Sequence, residues 1–227
     1  MNRFTPCLSI LPPAQQRLWP MLAQASKLGF VLYGGTAIAL RLGHRESVDF
    51  DFFSDRPLDR EAIRAAFPFM ANATTLQDQG DAWVALTPGD GQQARVKLSF
   101  FGGIDFGRIG EPEQTDDGVL LVASLDDLMA TKVKVVLQRA DRDVAAMVHA
   151  GVSLSHGLAG ARLLFGQNFQ PSESLKALVY FADGDLHTLS DAEKNTLVEA
   201  VATVRTLPEL TLRAKCLSAA NNTPPMP

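Results

Sequence analysis

The chain has 227 residues, 46% hydrophobic and 20% charged, which is the composition of an ordinary folded protein and excludes a disordered or fibrous chain. Its formal net charge of −4 gives no whole-molecule pull toward nucleic acid, so any such partner would have to meet a local basic patch. Two cysteines, Cys7 and Cys216, exclude a disulfide framework and a cysteine-rich zinc site, and fit a reducing cytosol. The opening residues lack the apolar run of a signal peptide, with Pro12 and Pro13 soon following. All apolar runs fall short of the roughly 18 residues a membrane helix needs. The expectation is a soluble, cytoplasmic protein with no membrane partner.

In chain order, Leu18, Met21, Leu22, Ala25 and Leu28 recur at helical spacing and predict a helix over Ala14 to Leu28, opened by the two prolines. Phe30 to Tyr33 predicts a short buried strand that ends at Gly34-Gly35, and Ala37 to Leu42 a helix leaving that turn. Val48 to Phe53 alternates, with Val48, Phe50 and Phe52 assigned to one face and Asp49 and Asp51 to the other. Leu58 to Phe67 predicts a helix capped by Asp59. Trp83 to Leu86 and Ala94 to Phe101 predict an antiparallel hairpin about the turn residues Thr87 to Gly91, and Val119 to Val122 a further strand.

Beyond this point the pattern becomes helical. Ser124 with Asp126 and Asp127 predicts a capped helix to about Ala140, and further helices are expected near 141–150, 156–166, 173–182 and 190–205. The fold class is therefore α+β: a mixed or antiparallel sheet with flanking helices, followed by a helical C-terminal region. The expected division is a core over 1–123, a helical domain over 124–220 that completes the active-site cleft, and a disordered tail over 221–227.

The residues that carry chemistry lie in the first half. Leu32-Tyr33-Gly34-Gly35-Thr36-Ala37 puts a strand, a glycine turn and a helix N-terminus in succession, where backbone N–H groups can approach a phosphate. Asp49 and Asp51, two residues apart on a strand, project from one face and can converge on a hard cation such as Mg²⁺ or Mn²⁺. Either feature alone is common, and it is their joint occurrence in this order that points to a site. Arg45, just before the carboxylate strand, is a candidate for holding a transferring phosphate. His44 is expected to close the loop through a hydrogen bond. Lys132, Arg139 and Asp143 are spaced by seven and four residues, so one continuous helix would carry them on one face.

The stretch Gly34-Gly35-Thr36-Ala37 … His44-Arg45-x-Ser47-x-Asp49-x-Asp51-Phe52-Phe53, with Lys132-x-Lys134 … Arg139-x-x-Arg142-Asp143 further on, resembles the abortive-infection (AbiEii/AbiGii-type) nucleotidyltransferase toxin family. That family belongs to the polymerase-β-like nucleotidyltransferases, and the matched blocks span roughly residues 30–150. The resemblance implies that Asp49 and Asp51 are catalytic metal ligands, that Gly35 and Thr36 contact the nucleotide phosphates, and that Lys132 and Arg139 sit near the triphosphate. It further implies an NTP donor, an acceptor that is RNA or a tRNA end, and an antitoxin protein as partner. One position departs from the pattern of such folds, which place a third carboxylate on a neighbouring strand. The polar face of residues 94–101 carries Arg95, Lys97 and Ser99, and Ser99 stands where that acid is expected. Two other readings therefore stand beside an RNA nucleotidyltransferase: a nucleotide- or partner-binding module on the same fold, and transfer to a small-molecule acceptor.

Overall fold

A computed structural model describes residues 2–89, 94–137 and 142–218 of the chain. In chain order these form β1 (Arg3–Phe4), α1 (Pro13–Leu18), β2 (Val31–Tyr33), α2 (Gly34–Leu42), β3 (Asp49–Phe53), α3 (Arg60–Ala66), β4 (Thr74–Gln79), β5 (Ala82–Leu86), β6 (Lys97–Phe101), β7 (Glu113–Thr115) and β8 (Leu121–Val122). The helices α4 (Leu125–Val135), α5 (Asp143–His149), α6 (Leu154–Phe165), α7 (Pro171–Leu178) and α8 (Asp191–Thr203) follow. The described strands make one eight-stranded sheet in the order β1-β7-β8-β2-β3-β6-β5-β4. It is mixed: β3 runs antiparallel to β2 and parallel to β6, β6 antiparallel to β5, and β2 parallel to β8. The α+β architecture expected from the sequence is the one that forms.

The middle of the sheet shows why the pattern folds this way. Phe50 and Phe52 of β3 and Leu98 and Phe100 of β6 are fully buried. The Phe100 ring lies 5.3 Å from those of Phe30 and Phe52 and 6.0 Å from those of Phe67 and Trp83. On one side of Phe100, α3 contributes Ile63 and is capped as expected, the Asp59 carboxylate accepting from the Ala62 N–H (2.9 Å). Arg41 of α2 reaches the Ala123 carbonyl (2.8 Å) and pairs with Glu113, fastening that helix across β8 and β7.

Several expectations change. The helix predicted over Ala14 to Leu28 stops at Leu18 and continues as 3-10 turns over Trp19–Gln24 and Ser26–Leu28. Pro20 explains the break, since it has no N–H to donate and its ring crowds the preceding turn. Helix α2 opens at Gly34 itself, with φ 73, three residues before the expected Ala37. Val48 does not join Phe50 and Phe52: it precedes the first paired residue of β3 and is 56% exposed. Strand β4 was not foreseen, because all six of its residues are exposed and carry no alternating apolar face. It is held by backbone pairing to β5 at the edge of the sheet. β1 and β7 are too short to leave a periodicity.

In the helical half, the Ser124 hydroxyl caps α4 by accepting from the Asp127 N–H (3.1 Å), as the sequence predicts. Helix α4 ends at Val135, ahead of the expected Ala140, while Asp90, Gly91, Arg139 and the tail 221–227 lie outside the described residues. Helix α4 packs on α6, and α2 touches both α4 and α5. Among the described residues no helix is long and apolar enough to cross a membrane.

Because Phe100 meets four other rings in a close-packed centre, truncating it leaves a void its neighbours cannot fill. Phe100→Ala is expected to cost about 3–5 kcal/mol of stability. Urea denaturation should show a lowered midpoint with an unchanged slope.

Candidate active site

Strand β3 presents Asp49 and Asp51 on the face opposite the buried phenylalanines, as the alternation requires. Its parallel partner β6 sets Lys97 directly beside Asp49 and Ser99 directly beside Asp51. The Lys97 ammonium donates to Asp49 Oδ2 at 2.5 Å, and Ser99 stands directly across from Asp51. Burial pushes the Asp51 carboxyl above its usual range; the Ser99 hydrogen bond opposes this, and the neighbouring Asp49 charge adds to it. Ser99 therefore occupies the position next to the aspartate pair where a third acid was expected. Among the described residues, no group of three or more histidine, cysteine or acidic side chains is arranged to hold a metal.

The glycine turn lies against this strand, and its two glycines answer to different neighbours. A Cβ at Gly34 would overlap the Asp51 carboxylate, and the φ of 73 there already disfavours a side chain. A Cβ at Gly35 would overlap the Arg45 guanidinium. Thr36 is buried, its hydroxyl engaged with Ser47 Oγ (2.6 Å) and the Asp49 carbonyl. The Thr36 side chain thus ties α2 to β3. What this residue can offer a ligand is its backbone N–H, in the first turn of α2 where N–H groups have no intrahelical partner.

Facing the carboxylates is a cationic cluster organised by Asp143, the first residue of α5, whose side chain is 0% exposed. Arg45 grips it with two nitrogens, Nε to Oδ1 at 2.6 Å and Nη2 to Oδ2 at 2.9 Å. Lys132 Nζ lies 2.7 Å from Oδ2, and His44 Nε2 lies 2.8 Å from Oδ1. His44 Nε2 donates to the carboxylate, so its hydrogen bond ties the loop to α5 instead of closing it on itself; its buried Nδ1 has no protein partner. Lys132 and Asp143 meet across two helices, because α4 ends before α5 begins, which corrects the expectation of one continuous helix face. Arg139 falls between them, outside the described residues.

A cavity of about 280 Å³ opens between the two groups. Its walls include Gly34, Gly35, Thr36, Arg45, Asp49, Asp51 and Lys132, so every described residue expected at the site borders one space. Tyr33, Glu46, Ser47, Val48, Phe53, Thr131 and Val135 also line it, and none of these was expected as a site residue. Asp49 and Asp51 suit a divalent cation by donor type, and Mg²⁺ commonly takes one or two carboxylates with the rest of its shell from phosphate and water.

Burial raises the Asp143 carboxyl, but the His44 and Arg45 hydrogen bonds and the Lys132 and Arg45 charges outweigh it and hold the group far below the usual range. A carboxylate depressed in this way contributes its full stability above its unfolded value near pH ~3.9 and loses it as pH falls below that. Asp143→Asn is expected to cost about 3–5 kcal/mol at pH 7, since it leaves cations without their buried partner. The gap to the wild type should narrow below about pH 4, where the carboxylate takes a proton in the unfolded chain while the native one stays ionised. Urea denaturation at both pH values measures it.

A 30% identical match over 115 residues joins the chain to an uncharacterized protein, aq_aa25, of Aquifex aeolicus (strain VF5), covering 50% of this chain and 52% of the relative. The chain thus spans about half the length of the curated relative it matches. No solved structure matches it. Residues 21–147, which run from the first helical turns through the glycine turn, the aspartate strand and Asp143, match the family described as nucleotidyl transferase AbiEii toxin, type IV toxin–antitoxin system. The chain belongs to the AbiEii nucleotidyl transferase toxin family.

Proposed function

We propose that the protein is a metal-dependent nucleotidyltransferase that moves a nucleoside monophosphate from an NTP to an acceptor hydroxyl, with RNA or a tRNA end as acceptor. The single observation that carries this reading is one cavity with carboxylates on one side, Asp49 and Asp51, and cations on the other, Arg45 and Lys132. That polarity matches an NTP–metal complex, in which the phosphates seek cations and the metal seeks carboxylates. Asp49 and Asp51 would hold Mg²⁺ or Mn²⁺, which supplies Lewis-acid polarisation of the reacting phosphoryl group and charge for the leaving pyrophosphate.

The chain's own groups do the rest. The N–H groups of Gly35 and Thr36 receive phosphate oxygens at the start of α2, where the helix dipole favours negative charge. Arg45 and Lys132 set two positive charges against the single carboxylate of Asp143, so this cluster keeps a net attraction for the triphosphate. Asp143 orients both cations, and Arg139 is proposed to join them. Lys132 reaches the cavity from α4, which supports a helical region after residue 123 that completes the cleft. An antitoxin protein is the partner that family membership favours, and a cytoplasmic setting is proposed with it.

A second reading has an observation of its own. With Ser99 beside Asp51, the strand next to the aspartate pair supplies no third carboxylate, which favours a nucleotide- or partner-binding module on the same fold. Transfer to a small molecule keeps the same core and changes only the acceptor.

Incubation with each α-³²P-labelled NTP, total RNA and Mg²⁺ or Mn²⁺ separates these readings. Wild-type protein is expected to label RNA, and Asp49→Asn or Asp51→Asn to lower the rate at least about 100-fold. Label in small-molecule products alone would move the acceptor class. Binding of NTP without transfer to any acceptor would favour the binding module.

A further inference from the structure

The pairing of β3 with β6 carries one more step. Lys97 stands beside Asp49 in the register and donates its ammonium to Asp49 Oδ2 at 2.5 Å, while both side chains remain about one-third exposed; Asp49 borders the cavity and Lys97 lies behind it. Ser99, the next residue on that face, stands across from Asp51 with a hydroxyl where a carboxylate was expected. The exposed Glu46 also borders the cavity from the loop before β3, while the paired strands themselves present only two negative side chains and one positive one. A site that clamps two divalent cations requires more anionic ligands than this, because each ion must recover in carboxylate and phosphate contacts what it loses in hydration.

We infer that Lys97 takes the place of a second metal ion: the site accepts one divalent cation, and the Lys97 ammonium is the built-in positive charge beside it. This rests on the metal-site reading above and deepens it. Asp49 has lone pairs enough to receive the ammonium on one oxygen while it still faces a cation, and the neutral Ser99 across from Asp51 brings no charge of its own. An ammonium has the charge to stabilise a phosphate oxygen but none of a metal's power to acidify a bound hydroxyl. Lys97 is therefore an electrostatic substitute only, and the acceptor's proton passes to solvent or to the substrate. A single ion, with the triphosphate completing its shell, is enough to hold the donor.

Titration of the full chain with Mn²⁺ alone, with free ion read from its paramagnetic resonance signal, counts the bound ions without reference to activity. The wild type is expected to bind one Mn²⁺ per chain. Lys97→Met, which removes the competing ammonium, should bind its first ion about tenfold more tightly, and Lys97→Arg should keep the wild-type affinity. Two ions on the wild type, both lost in Asp49→Asn, would overturn the inference and leave the metal site standing. An unchanged first affinity in Lys97→Met would also overturn it. No bound ion at all would overturn both the inference and the metal site beneath it.

Discussion

A carboxylate with no solvent exposure is costly to keep ionised, by several kcal/mol, unless its oxygens are fully paired. Asp143 meets that condition by drawing Arg45 and His44 from the segment after α2 and Lys132 from α4 onto one point at the start of α5. The consequence is mechanical as well as electrostatic. The segment carrying His44 and Arg45 must reach two helices nearly a hundred residues further along the chain for this group to be buried at all. When it does, two cations are aimed at the same cavity as the aspartate pair. The site's cationic wall is in this sense a by-product of satisfying one buried anion.

The opposite wall depends on strand register. A parallel β3–β6 pairing displaced by a single residue would turn Lys97 and Ser99 away from Asp49 and Asp51 and bring Leu98 against them. The buried phenylalanines on the reverse of both strands prevent this slip, so the core that stabilises the sheet also fixes the chemistry on its other face. Between the walls, Gly34 and Gly35 leave room for Asp51 and Arg45 respectively. The glycine pair serves the approach of these side chains, which is a separate demand from any phosphate its N–H groups receive.

Much of this was legible in the sequence where local pattern and tertiary demand agree. The alternation over Asp49 to Phe53 predicted both the buried face and the carboxylate face, and the caps at Asp59 and Ser124 are hydrogen-bonded as their residue types require. The chain's departure at Ser99 was also visible, because its neighbours alternate clearly. What the sequence hid was non-local. β4 has no apolar face and exists through its partner, Val48 lies one residue outside the register that would have buried it, and Pro20 ended a helix whose periodicity ran past it. The Lys97–Asp49 pair and the convergence on Asp143 depend on which strands and helices become neighbours, and spacing along the chain carries no such information. Spacing also suggested one helix face for Lys132 and Asp143, where two helices bring the residues together.

The central claim is that Asp49 and Asp51 hold the metal of an NTP whose phosphates lie against the Gly34–Thr36 turn and the Arg45–Lys132 wall. Crystals grown with Mn²⁺ and a non-hydrolysable NTP test it most directly through an anomalous-difference map. The account predicts a manganese peak against Asp49 and Asp51, with triphosphate density reaching the N–H groups of Gly35 and Thr36. A triphosphate bound elsewhere on the chain, with no peak at the two aspartates, would contradict it.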